Sequence, residues 1–153
     1  MLQINSIIKW LSCACGFRKY MKEIISEKQF YKGRDEEFKN ELTDEIKNNA
    51  KIILNRVNAL LDELGISKAE VSSGWRPASI NANTQGASKK SAHMVGMAVD
   101  IVDNNHELYN KILEKSDILK KYDLWMEDKD STPTWVHLDF KQRTDRPIRI
   151  FKP

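Results

Sequence analysis

Two of the chain's three histidines stand in surroundings that suit metal chemistry. His93 lies in the run Ser91-Ala92-His93-Met94-Val95-Gly96-Met97-Ala98-Val99-Asp100, and His137 in Trp135-Val136-His137-Leu138-Asp139. Met97 to Val102 is a short apolar run that reads as a buried strand, yet it carries the carboxylate of Asp100. A carboxylate in such a place is costly unless it is paired or bound to a cation. Two imidazoles and one carboxylate are the usual three protein ligands of a catalytic zinc site, whose fourth position stays open to water. Alternation along Trp135 to Phe140 sets His137 on the face opposite Val136 and Leu138, as a strand-borne ligand requires. Asp139 shares the face of His137 and is placed to orient it. His106 sits on a polar helix face and reads as a structural or exposed histidine.

The elements that must position these groups are legible from hydrophobic period. Ile46, Ala50, Ile53, Leu54, Val57, Leu60, Leu61 and Leu64 recur at spacings of three and four, which predicts a helix over 43–64. Thr43 is its N-cap, Asp44 and Glu45 suit the positive end of its dipole, and Gly65 stops it. Glu70 to Ser73 reads as a short strand. Residues 78–92 are rich in Ser, Asn, Gly and Lys and read as loop with one helical turn. The apolar residues of 105–121 fit one helix or two short ones. Leu124 to Met126 and Trp135 to Phe140 read as strands joined by the polar turn Asp128 to Thr134, and Ile148 to Phe151 as a last edge strand. The mixture predicts an α+β fold, a small antiparallel sheet with flanking helices.

Length and composition bound the answer further. The 153 residues fit one domain, and 41% hydrophobic with 31% charged residues describes a foldable chain. A formal net charge of +3 without a basic stripe argues against nucleic acid as a partner. Ile7 to Phe17, interrupted by Lys9, is shorter than the roughly 20 apolar residues a bilayer span needs, so no stable membrane insertion is expected. As an export signal it is weak, because Arg18 and Lys19 follow the apolar part, although Ser12-Cys13-Ala14 would serve as a cleavage site. Residues 1–20 read as an N-terminal tail and 21–153 as the functional domain. Cys13 and Cys15, one residue apart, suit neither an unstrained disulfide nor a metal site.

Several of these segments together are specific. Ser73-Gly74-Trp75-Arg76-Pro77, Ile80-Asn81, the element Ser91-x-His93-x-x-Gly96-x-Ala98-x-Asp100 and Trp135-Val136-His137 resemble the hedgehog/D-Ala-D-Ala peptidase family of zinc enzymes. The likeness is greatest to its short phage-type, endolysin-like members and runs from about Tyr31 to Pro153. It implies one Zn2+ held by His93, Asp100 and His137, and hydrolysis of the peptides of bacterial peptidoglycan. Gly96 and Ala98 match the small positions that let the chain turn closely around the metal. Arg76 matches an arginine that holds a substrate carboxylate or stabilises the oxyanion, and Ser91 a hydroxyl that contacts substrate or supports the ligand loop. Many relatives place an acid three residues before the last histidine, where this chain has Thr134. Other branches carry a glutamate at the end of the preceding strand, which makes Glu127 the general base, with Asp130 and Asp128 as reserves.

The expected enzyme is a monomeric, zinc-dependent peptidoglycan peptidase, made in a phage-infected host cytoplasm and acting on the cell wall. D,D-carboxypeptidase, D,D-endopeptidase and L-alanyl-D-glutamate endopeptidase activities differ in pocket shape, which the sequence leaves open. The alternative class is a binding module for cell wall or virion that keeps the fold without turnover, and Thr134 is the residue that favours it.

Overall fold

The computed structural model describes residues 22–115, 117–144 and 147–153. The tail expected over residues 1–20, with Cys13 and Cys15, lies outside them. The described chain opens with two short helices, α1 (Glu27–Tyr31) and α2 (Arg34–Glu37), before the long helix α3 (Asp44–Glu63). Sequence periodicity passed over α1 because five residues are too few to show a stripe. Its signal is local: Ser26 and Gln29 form a capping box, each side chain bonding the other's backbone N–H. In α3 the predicted helix is present with its predicted ends. Thr43 Oγ1 accepts from Ile46 N at 3.2 Å, and Gly65 follows the last turn at φ +71°, a conformation that favours glycine.

The strands are β1 (Val71–Ser73), β2 (Ala98–Val102), β3 (Trp125–Glu127), β4 (Trp135–Asp139) and β5 (Ile150–Phe151), in the spatial order β1-β2-β4-β3-β5. The first four pair antiparallel, as expected, but β5 runs parallel to β3, so the sheet is mixed. The reason is topological. After β4 the chain passes its neighbour β3 and joins the far edge, so it returns antiparallel to β4 and therefore parallel to β3. The segment 78–92 holds helix α4 (Ala78–Ala82), and a 3-10 turn follows at Ala92–Val95. Region 105–121 resolves into two helices, α5 (Glu107–Glu114) and α6 (Ile118–Lys121). Among the described residues no helix is long and apolar enough to cross a membrane.

Alternation along the central strands gives the sheet two unlike faces. Val99, Ile101, Met126, Val136 and Leu138 join Ile53, Leu54, Val57, Leu60 and Leu61 of α3 in one buried cluster. Each such side chain contributes about 1.5–3 kcal/mol when fully buried, so this stripe is a main source of stability. The intervening residues, Asp100, Glu127, His137 and Asp139, point to the opposite face. A one-residue slip would exchange the two sets, so the apolar core also fixes the register of the polar residues.

Asn58, on α3, ties the first described residues to this core. Its Oδ1 accepts from Ile24 N at 3.1 Å and Ile25 N at 2.8 Å, and its Nδ2 donates to Ile25 O at 3.0 Å. Replacing it by alanine leaves two buried N–H groups and a carbonyl without partners. Asn58→Ala is expected to lower stability by about 2–4 kcal/mol, read from denaturant unfolding. A loss below about 0.5 kcal/mol would mean that this segment is not anchored there.

Candidate metal centre and catalytic cleft

Strand register brings the first two groups together. Asp100 of β2 and His137 of β4 are direct cross-strand partners, and His137 Nδ1 lies 2.7 Å from Asp100 Oδ1. His93 arrives from the 3-10 turn, which Ser91 caps through Oγ, and its Nε2 stands 3.3 Å from His137 Nδ1 and 3.2 Å from Asp100 Oδ1. The three side chains are buried, and one ligand atom from each lies within 4.8 Å of the others. The far side of each ring decides what its near side offers. His93 Nδ1 lies 2.7 Å from the carbonyl of Gly74, so it must carry the proton. His137 Nε2 lies 3.1 Å from Asp139 Oδ2 and donates to that carboxylate. In the neutral rings, Nε2 of His93 and Nδ1 of His137 therefore present lone pairs to the same point as the Asp100 carboxylate.

The electrostatics of the three groups are strongly coupled. Burial works to raise the Asp100 carboxyl, but the neighbouring His93 and His137 hold it well below the usual carboxylate range. Burial lowers the His93 imidazole, with Asp100 opposing. For His137 burial is likewise unfavourable to charge, yet hydrogen bonds to Asp100 and Asp139 push it up to about 10. The carboxylates of Asp100 and Asp139 thus favour positive charge at this point of the sheet.

Glu127 ends β3, and the pairing of Trp125 with Asp139 and Met126 with Leu138 continues to set it beside His137. Its Oε2 lies 4.0 Å from His137 Nδ1. Burial, then the charges of Asp100 and Asp139, raise its carboxyl above the ordinary value, while His137 opposes. The other two acids of the turn point elsewhere: Asp128 accepts from Asp130 N at 3.0 Å, and Asp130 is exposed, as is Thr134. Arg76 is half-buried, which lowers its pKa; its Nη2 donates to Ser91 Oγ at 3.2 Å, and its buried Nε has no hydrogen-bond partner. Ser91 Oγ also accepts from His93 N at 3.3 Å, so one hydroxyl braces both the ligand turn and the arginine.

A family model described as Peptidase M15 matches residues 23–139. The chain belongs to the peptidase M15 family. Its members are zinc peptidases of the hedgehog/DD-peptidase superfamily. No curated protein and no solved structure matches the chain. Membership in M15 and the buried His93, Asp100 and His137 group agree on a metal. Two ring nitrogens and one carboxylate oxygen converge there, a group that could hold a metal ion.

In this M15 domain the three groups open onto a cleft of about 860 Å³, lined also by Arg34, Arg76, Ser91, Glu127, Trp135, Arg143 and Phe151. Several of its features were not legible as site residues. Arg34 comes from α2 and reaches the cleft while donating to Trp75 O at 2.8 Å. Gly74 matters through its carbonyl and its lack of a side chain, since a Cβ would stand 2.1 Å from Phe30 O. Gly96 has φ +72°, and a Cβ there would lie 2.8 Å from Ile46 O, so its smallness serves the approach of α3 as well as the ligand turn. Trp75 is fully buried and bonds Met94 O, a core role, and His106 begins α5 away from the cleft.

Proposed function

We propose that this peptidase holds one zinc ion on His93, Asp100 and His137 and hydrolyses peptide bonds in the stem peptides of bacterial peptidoglycan, as a phage endolysin does. The observation that carries the reading is the convergence of three lone-pair donors beside an unligated carboxylate, Glu127, in an open cleft. Bound there, zinc supplies a Lewis acid that acidifies water and polarises a carbonyl. Glu127 takes the proton of the attacking water and returns it to the leaving amine. Arg76, with an unused buried N–H, holds a substrate carboxylate or steadies the oxyanion. Ser91 keeps Arg76 in place and has a hydroxyl hydrogen to offer substrate. Asp139 holds the His137 tautomer. No covalent intermediate is required.

Basic residues on the cleft walls, among them Arg34, Lys90, Lys141 and Lys152, suit a stem peptide, whose side chains and terminus carry carboxylates. The site of action that follows is the cell wall. Digestion of purified peptidoglycan with and without chelator, followed by mass analysis of the fragments, tests the reading. Chelator-sensitive release of peptide fragments is expected, and the fragment masses distinguish loss of a terminal D-alanine from cross-link or L-alanyl-D-glutamate cleavage. Zinc-loaded protein that retains wall material and releases nothing would instead establish a binding module.

A further inference from the structure

We infer that Arg143 is a positioning residue for His137, acting through Asp139, and that the C-terminal strand β5 holds Arg143 in place through Phe151. The inference rests on the metal-centre reading above. Asp139 is 1% exposed, and both its oxygens are engaged. Oδ1 accepts from Arg143 Nη1 at 2.5 Å and from Lys141 N at 3.0 Å; Oδ2 accepts from Arg143 Nη2 at 2.8 Å and from His137 Nε2 at 3.1 Å. This two-pronged grip fixes the plane of the carboxylate, which a single lysine point charge would not do. The plane of the carboxylate sets the direction in which His137 Nε2–H must point. That direction aims Nδ1 at His93 and Asp100.

Arg143 is itself held from the other side. Its guanidinium lies 3.6 Å from the centre of the Phe151 ring, within reach of cation–π attraction. Phe151 in turn stands edge-on to His137, with ring centres 6.1 Å apart. Because β5 pairs with β3, the ring is fixed by the same sheet that carries Glu127. Arg143 lines the cleft, so a direct contact with substrate is the competing role. Its Nη1 and Nη2 are turned to Asp139, and one face is covered by Phe151, which favours positioning.

The test uses the full chain and two readouts that do not depend on turnover: the zinc dissociation constant by chelator competition, and the visible spectrum of the Co2+-substituted protein. Arg143→Met is expected to weaken zinc by about 10–100-fold and to shift the cobalt bands, the scale typical for losing a group that orients a ligand. Arg143→Lys should recover part of the affinity, and Phe151→Leu should weaken it several-fold. Unchanged affinity and spectrum in Arg143→Met would overturn the inference. So would a fall in kcat/KM with both unchanged, which would assign Arg143 to substrate. Should Arg143→Met fail to fold, Phe151→Leu decides, and parent-like affinity there overturns the proposal. Zinc binding in His137→Ala equal to the parent would sink the metal centre itself, and this inference with it.

Discussion

Glu127→Gln protein is expected to hold zinc as the parent does and to turn over roughly a hundredfold more slowly, or worse, the usual scale for losing a positioned base. Glutamine keeps the shape and the half-buried position of Glu127 but cannot accept a proton. The carboxylate stands 4.0 Å from His137 Nδ1 without being one of the three converging groups, so it would be available beside a bound metal to accept a proton from the attacking water. Its raised pKa, caused first by burial, moves it towards neutrality and makes it a better proton acceptor. Asp130→Asn, made in parallel, should change turnover little, because Asp130 is exposed on the β3–β4 turn. Full activity in Glu127→Gln with none in Asp130→Asn would move the base to the turn.

The second large effect concerns the ligands. Single substitutions of His93, Asp100 or His137 by alanine are expected to reduce zinc from one ion per chain to near none after dialysis, and to abolish hydrolysis. Each removes one of three protein donors, and two are too few for a stable site of this kind. His106→Ala serves as the control and should retain the ion. Metal analysis of the purified variants checks this, and full zinc retention in all three would refute the assignment. The fold should survive, since the α3 stripe and the apolar face of the sheet form a core without the metal. The metal-loaded parent should melt higher than the chelated one, because an ion bound only to the folded state stabilises it by mass action.

Much of this architecture could be read from residue types because the period and the chemistry coincide. The α3 stripe and the alternation of Val136, His137 and Leu138 are forced by burial on one side, so pattern alone located the core and set His137 on the opposite face, where the candidate site lies. The pairing of Asp100 with His137 follows from register and needed coordinates to be seen. What stayed hidden has physical causes. A backbone carbonyl such as that of Gly74 carries no residue signature, yet it decides the tautomer of His93. Arg34 and Arg143 come from short or irregular segments with no hydrophobic period to anchor them. The parallel placing of β5 depends on a chain path that skips a strand, which no local pattern encodes.

The central claim is that one ion on His93, Asp100 and His137 is needed for hydrolysis of wall peptides. The most direct measurement is the rate of peptide release from purified peptidoglycan as the chelated protein is titrated with zinc. The account predicts no activity at the start, a rise with added zinc, and a plateau at one equivalent per chain. Activity that survives chelation, or a rate that does not respond to zinc, would contradict it.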